Sequence, residues 1–361
     1  MSDVRYWLGF NLVSGVGPSR FRRLLGYFGS AEAAWRANPR DLAAAGLDTR
    51  TLEAVVSRRS RINLDVEMER VERSGATLVT LEDSSYPPLL KHVADAPPLL
   101  YVRGVLRPDD ELAIAVVGTR RATVYGKQVC ERLVQEVAGR GVTVVSGLAR
   151  GIDAVAHRTA LAAGGRTIAV VACGVDIVYP PDHRALAREI AGSGAIVSEY
   201  PMGTPPEAGN FPARNRIISG MTRATLVVEA GETSGAMITA NFAVEQGRDV
   251  LAVPGSILAA SCAGTNRLIQ EGAKLVQDAQ DILDELDVVT VGQQLAFRAE
   301  APDDPIERSL LDVLTGEPSH IDEIVRQVNL PVATVSSALA LLELKGMARH
   351  VGGMHYVTTG R

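Results

Sequence analysis

One pattern recurs between residues 76 and 290 and limits the chain to a narrow set of folds. A short run of Val, Ile and Ala leads into a glycine-rich turn, and the turn into an amphipathic helix. The apolar runs are 114–117, 142–146, 167–172, 195–198, 224–229 and 249–253. Continuous apolar runs bounded by glycine suit parallel strands covered on both faces. Helices such as 124–138, with Val129, Leu133 and Val137 on one face, supply the crossovers. The pattern predicts an α/β fold, a doubly wound Rossmann-like parallel sheet, with ligands at the carboxyl ends of its strands. Residues 77–81, Tyr86-Pro87-Pro88 and 97–101 read as an extended lead-in with extra strands.

The flanks break the pattern. Residues 1–73 read as helices, with Phe21, Leu24, Leu25 and Phe28 at helical spacing. Between two of them lies Ser14-Gly15-Val16-Gly17-Pro18, the form of a helix-hairpin-helix (SAM-like) unit. Its glycines would let backbone N–H groups reach a phosphate, with Arg20, Arg22 and Arg23 just beyond. A tight turn in a small helical bundle is the equal alternative. Residues 76–290 form the extended Rossmann-like domain, and 292–305 a polar, acidic linker containing Pro302 and Pro305. Residues 306–361 then read as three helices and a hairpin around Gly352-Gly353, a winged helix.

Charge is unevenly placed. The net charge is −5, yet residues 278–307 hold nine acids and one base; without that segment the balance is +3. The bases are 33 Arg and 4 Lys, and Arg suits bidentate phosphate contact. No apolar run reaches the ~20 residues of a membrane span. The N-terminus lacks the marks of a signal peptide, so a cytoplasmic protein is expected. Three scattered cysteines and six histidines show no ligand spacing, so neither a metal nor a cofactor is expected.

The chemistry is expected on the loops of the middle domain. Gly118-Thr119-Arg120-Arg121 follows the first core strand and opens a helix, without the dinucleotide or P-loop fingerprints. One glycine, helix N–H groups and two arginines make a phosphate site. Ser146-Gly147 with Arg150, Phe211 with Arg214 and Arg216, and Ser234-Gly235 lie on loops that the fold gathers at one edge. Four arginines, 120, 150, 214 and 216, would ring a floor of amides and hydroxyls; such a ring wants an anion. Phe211 is a candidate stacking platform, or equally a core residue. Asp153 and His157, four apart, share a helix face and read as a pair bracing the 147–157 loop rather than a catalytic dyad. Glu199 and Glu229 read as partners for Arg214 or Arg216.

These residues carry a family resemblance. The stretches 118–121, 146–157, 172–176, Tyr179-Pro180, 198–201, Asn210-Phe211 with 214–216, 234–236, 247–250 and 253–255 resemble the bacterial DNA-processing protein A (DprA, also called Smf) family, in the family's order. The resemblance implies a non-enzymatic protein. Such proteins bind and protect incoming single-stranded DNA during natural transformation, load RecA recombinase onto it, and work as homodimers through the Rossmann-like domain. It maps the family's DNA crevice onto Gly118, Arg120, Ser146, Gly147, Arg150, Arg214 and Arg216. It places the dimer surface at Leu268 and Ile269 within 266–269, and RecA contact near 241–248. The scarcity of Lys is the chief departure.

Two rival functions share parts of this pattern. A nucleoside monophosphate phosphoribohydrolase-like enzyme has such a sheet, but 228–235 lacks that family's P-G-G-x-G-T-x-x-E. A duplex-binding regulator would read bases through the third helix of the winged unit, yet residues 332–344 contain no Arg or Lys.

Overall fold

The apolar runs become the strands, slightly shorter than the sequence suggests. The computed structural model describes residues 4–286, 304–315, 318–344 and 347–358. The middle of the chain forms β3 (Ala113–Val117), β4 (Thr143–Ser146), β5 (Thr167–Val170), β6 (Ala195–Ser198), β7 (Ala224–Val227), β8 (Asp249–Ala252) and β9 (Lys274–Leu275). These seven pair with one another in parallel. The lead-in supplies β1 (Ala76–Thr80) and β2 (Leu99–Gly104), which close one edge in antiparallel. The order is β1-β2-β6-β5-β4-β3-β7-β8-β9. The chain therefore starts its parallel core in the middle, builds outward to β6, and returns to lay β7 on the other side of β3. Residues 171–172 and 228–229 lie past the strand ends, although Val171 and Val228 still donate to the Val197 and Val117 carbonyls, and Glu229 stands two residues beyond β7.

Helices cover both faces, so β3 to β7 are buried on both sides and read as unbroken apolar runs. After the short α7 (Pro88–Lys91), the ones that matter for the site are α8 (Val124–Gly139), α9 (Ile152–Ala162), α10 (Arg184–Ser193), α11 (Asn210–Gly220) and α12 (Gly235–Glu245). The face under the N-terminal part is different. Helices α1 (Val4–Asn11), α2 (Pro18–Phe28), α3 (Ala31–Arg36), α4 (Pro39–Ala44), α5 (Thr49–Arg59) and α6 (Leu64–Arg73) pack around an aromatic nucleus. In it Phe10 meets Trp35 edge-on at 5.0 Å and Trp7 lies 4.8 Å from Phe21. The same apolar cluster runs on into Leu99, Tyr101, Leu186 and Ile196. Residues up to 286 are thus one compact unit rather than two. The three arginines after the hairpin are tied into it. Arg20 donates to the Gly15 carbonyl and to Asp48, Arg22 to carbonyls at 93, 94 and 96, and Arg23 to the Gly46 carbonyl.

The second unit has helices Pro305–Val313, Ile321–Val328 and Val332–Leu344, and a three-stranded sheet of Ser319–His320, Ala348–Gly352 and His355–Thr358. Leu310, Ile324, Val335, Leu339 and Leu342 form its core. Gly352 and Gly353 turn the hairpin at φ +96° and +57°, values that suit glycine. This is a winged helix. Of the expected linker 292–305, residues 292–303 lie outside the described residues; Asp304 caps the helix that Pro305 begins. Among the described residues no single helix is long and apolar enough to cross a membrane.

Candidate nucleic-acid interface

The connections after β3 and after β7 run in opposite directions, so a crevice opens between the ends of these neighbouring strands. Its first wall differs from the sequence expectation. The segment Gly118 to Arg121 does not open α8. That helix starts at Val124, and Thr123 caps it by accepting from the Gly126 N–H at 3.1 Å. The Glu229 carboxylate, wholly buried, accepts from the Thr123 N–H at 2.9 Å. A side chain on Gly126 would collide with that carboxylate. The helix N-terminus is therefore occupied by the protein's own anion rather than left for a phosphate. Glu229 is not the arginine partner expected of it.

The second wall is the loop after β4. Asp153 accepts from the Gly147 and Ala149 N–H groups, both at 3.2 Å. Leu148 sits at φ +58°, a conformation an aliphatic side chain adopts only under constraint. His183 Nδ1 donates to its carbonyl at 3.0 Å, and Arg214 donates to the carbonyls of Gly147, at 2.8 Å, and Val170. A Cβ on Gly147 would stand 2.7 Å from the Arg214 guanidinium, which accounts for the glycine. The expected Asp153–His157 pair does not form. His157 lies at Thr167 Oγ1, 2.6 Å away, because one turn of helix carries its ring past Asp153 toward β5.

Arg214 itself is 4% exposed. Burial lowers its pKa to about 10; Asp153 opposes the shift and Arg120 adds to it. Burial conversely raises the Asp153 carboxyl. Each charge partly offsets the other's shift through space, while both are bonded to the loop after β4 rather than to each other.

Above this floor lies a cleft of about 680 Å³. Gly118, Arg120, Phe211, Arg214, Ser234 and Gly235 of the expected residues line it. The exposed Arg120 guanidinium stacks 5.1 Å from the Phe211 ring centroid, and Phe211 lies 5.8 Å from Tyr179. A cation and two rings thus form one continuous ledge. Asn215 donates to the Gly235 carbonyl at 3.3 Å, tying α11 to the start of α12. Tyr179 and Asn215 are contributions that reading loops by charge and glycine misses. Tyr179 could have been found as a tyrosine at a strand-end loop facing the arginines.

Other expected residues stand elsewhere. Ser146 is buried and donates to the Val116 carbonyl. Thr119 accepts from the Arg121 N–H, and neither lines the cleft. Arg150 is exposed and paired with Asp182 at 2.6 Å, outside the lining. Arg216 points away altogether, to Asp95 at 2.8 Å and Glu199 at 2.6 Å. The reason is local structure: residues 210–220 are a helix, not a loop, and residues two apart on a helix face opposite sides. The ring of four arginines is reduced to Arg120 and Arg214. Leu268, expected at a dimer surface, is 6% exposed and belongs to the core; Ile269 is half-buried against the same cluster.

Comparison with known proteins gives the same outline. The family model described as DNA recombination-mediator protein A matches residues 77–287, the DprA winged helix domain 295–354, and the DprA-like N-terminal HHH domain 7–59. "Protein Smf" of Synechocystis is 36% identical, covering 98% of both chains. "DNA processing protein DprA" of Bacillus subtilis is 42% identical, covering 59% of this chain and 72% of its own. The solved structure of DNA processing protein A from Streptococcus pneumoniae superposes with a TM-score of 0.70 at 36% identity, covering 79% of this chain and 99% of that one. That of DNA processing protein A from Helicobacter pylori, described by its single-stranded DNA binding mode, gives 0.53 at 32% identity over 59% and 97%. Three matched segments in chain order, a nine-stranded sheet with its crevice, and a relative spanning nearly the whole length agree that the chain belongs to the DNA recombination-mediator protein A family.

Proposed function

We propose that the cleft between β3 and β7 binds single-stranded DNA, and that the protein protects incoming DNA and loads RecA onto it in transformation and recombination. The observation that carries the reading is the ledge of Arg120, Phe211 and Tyr179 over a buried Arg214–Asp153 floor. Arg120 supplies a cation for a phosphate and the two rings supply faces for bases. Stacking needs bases that are not paired, so the ledge favours a single strand over a duplex. The recombination-mediator family and the single-strand binding mode named for the Helicobacter pylori relative support this. A base-reading role for the winged helix is disfavoured, since residues 332–344 hold no Arg or Lys.

The role is one of binding rather than catalysis. Of the groups that could serve an enzyme, Asp153 holds loop amides, and His157 and Glu229 are fully buried and do not line the cleft. Thr119, Arg121, Ser146 and Arg150 then act around the cleft: Ser146 as a strand-end brace, Arg150 as a rim cation once released from Asp182. The reading includes homodimerisation through the Rossmann-like domain around Ile269, and action in the cytoplasm, where three buried unpaired cysteines stay reduced. Replacing Arg120 by Ala is expected to weaken single-strand binding by ~1–3 kcal/mol, the loss of a charge-assisted contact, without changing the fold. Unchanged affinity in a fluorescence titration at moderate salt would remove Arg120 from the site.

A further inference from the structure

The segment between β3 and α8 has two sides. Gly118 and Arg120 line the first cleft, and Thr123 lines another of about 480 Å³. Three residues separate Arg120 from Thr123, at most about 11 Å of chain. The other walls of this cleft are Tyr125 and the loop after β8, between Pro254 and Cys262. Strands β3, β7 and β8 are parallel neighbours, so that loop stands at the same end of the sheet as the first cleft.

Both walls are held in place. The Tyr125 hydroxyl donates to the Pro254 carbonyl at 2.7 Å, which fixes a ring that is still 46% exposed. Asn266 accepts from the Gly255 N–H and donates to the Gly255 carbonyl, each at 3.0 Å. A Cβ on Gly255 would collide with Cys262 Sγ, so the loop is packed to contact there. Ser256 Oγ accepts from the Leu258 N–H at 3.2 Å. The loop so tied presents Ile257 and Leu258 bare, each 92% exposed, and Val124 is exposed at the start of α8. Large apolar side chains left bare together on a fixed frame mark an interaction surface.

Charge and continuity identify what it meets. The lining carries the hydroxyls of Thr123, Ser256 and Ser261 and no acid. Arg121 and Lys127 flank Tyr125 in the chain; both are exposed, and neither side chain has a partner among the described residues. A ring, aliphatic groups, hydroxyls and two free cations suit bases and phosphates together. A protein partner would have to bring acids for those cations, whereas a strand on the Arg120–Phe211 ledge already brings its phosphates to the same segment. We infer that the cleft between Tyr125 and the loop after β8 is a second nucleotide subsite, where the strand leaving the ledge sets its next bases against Tyr125, Ile257 and Leu258 while Arg121 and Lys127 take its phosphates. The inference rests on the reading of the first cleft. It gives Arg121, which does not line that cleft, a ligand, and it makes the footprint longer than one cleft.

Labelled oligo-dT of about six and about twenty nucleotides brackets one cleft and two. Tyr125→Ala should lose at least about fivefold more affinity for the long oligonucleotide than for the short one. Tyr125→Phe, which keeps the ring and gives up the bond to Pro254, should recover most of that loss. Arg121→Ala should make the log–log salt slope for the long oligonucleotide shallower by ~0.7. An Ile257→Asp/Leu258→Asp double variant, altered only at nearly fully exposed positions, should show the same length-dependent loss with native circular dichroism, and it decides the matter if Tyr125→Ala unfolds. Parent-like binding of the long oligonucleotide by either folded variant would overturn the subsite, and so would equal losses at both lengths. A Tyr125→Phe variant as weak as Tyr125→Ala would assign the effect to the Pro254 bond and overturn the stacking role. If Arg120→Ala weakens neither oligonucleotide, the first cleft itself is misassigned and this inference falls with it.

Discussion

Replacing Arg214 by Met is expected to destabilise residues 4–286 by about 3–5 kcal/mol and to abolish DNA binding with it. The guanidinium is nearly inaccessible and bonds the carbonyls of Gly147 and Val170, the ends of two adjacent strands. Its charge also offsets, through space, the burial of Asp153, whose carboxyl holds the Gly147 and Ala149 N–H groups. Without Arg214 the buried Asp153 loses its nearby positive charge, the Gly147 and Val170 carbonyls lose their donor, and Leu148 loses part of the constraint that keeps it at positive φ. Denaturant unfolding measures the loss. A variant as stable as the parent, with affinity unchanged, would show that Arg214 is a packing residue and not the keystone of the floor.

Acid should destabilise the protein through His157. Its ring is inaccessible and burial lowers its pKa to about 3, from an ordinary 6.5. Thr167 Oγ1 gives its own proton to the Val144 carbonyl, so His157 Nδ1–H donates to Thr167 and Nε2 is left a bare acceptor without a partner among the described residues. The folded state therefore keeps His157 neutral. The unfolded chain takes up a proton below pH 6.5, so stability falls as pH drops from about 6.5 toward 3. At about pH 4.5 the loss from this group is roughly 2–3 kcal/mol, from about 1.36 kcal/mol per pH unit. Asp153 and Glu199, whose carboxyls burial raises, act in the opposite sense below neutrality and soften the fall. His157→Asn keeps a donor for Thr167 but does not titrate. Its stability difference between about pH 7.5 and about pH 4.5 should be smaller than the parent's; an equal difference would assign acid lability to other groups.

The fold was legible because period and punctuation agree. Short apolar runs between glycines have few outcomes other than parallel strands, and residues 195–198 match one without a shift. The N-terminal boundary was less legible. Whether the N-terminal helices stand apart or share a core depends on how Trp7 and Phe10 pack with Leu99 and Tyr101, which no local pattern records. At the site, the residues that line the cleft by backbone position, Gly118 and Gly235, were readable. The arginines were readable as types but not as directions. Arg214 and Arg216 differ only in which side of α11 they leave, and that required knowing that 210–220 is helical despite Pro212. Helix periodicity also undid the Asp153–His157 pair: spacing permitted the contact, and the Thr167 hydroxyl won it. The internal anion at α8 was hidden because Glu229 lies 106 residues from the amide it accepts.

The central claim is that a single DNA strand is held on the Arg120–Phe211 ledge. Its most direct test is an equilibrium titration of labelled single- and double-stranded DNA of one length, at one salt concentration, against the parent and an Arg120→Ala/Phe211→Ala double variant. The two side chains touch, so their effects are not expected to add. The parent should bind the single strand more tightly than the duplex. The double variant should bind it at least about tenfold, or about 1.4 kcal/mol, more weakly, with its circular dichroism unchanged. A natively folded double variant that binds the single strand as tightly as the parent would contradict the claim.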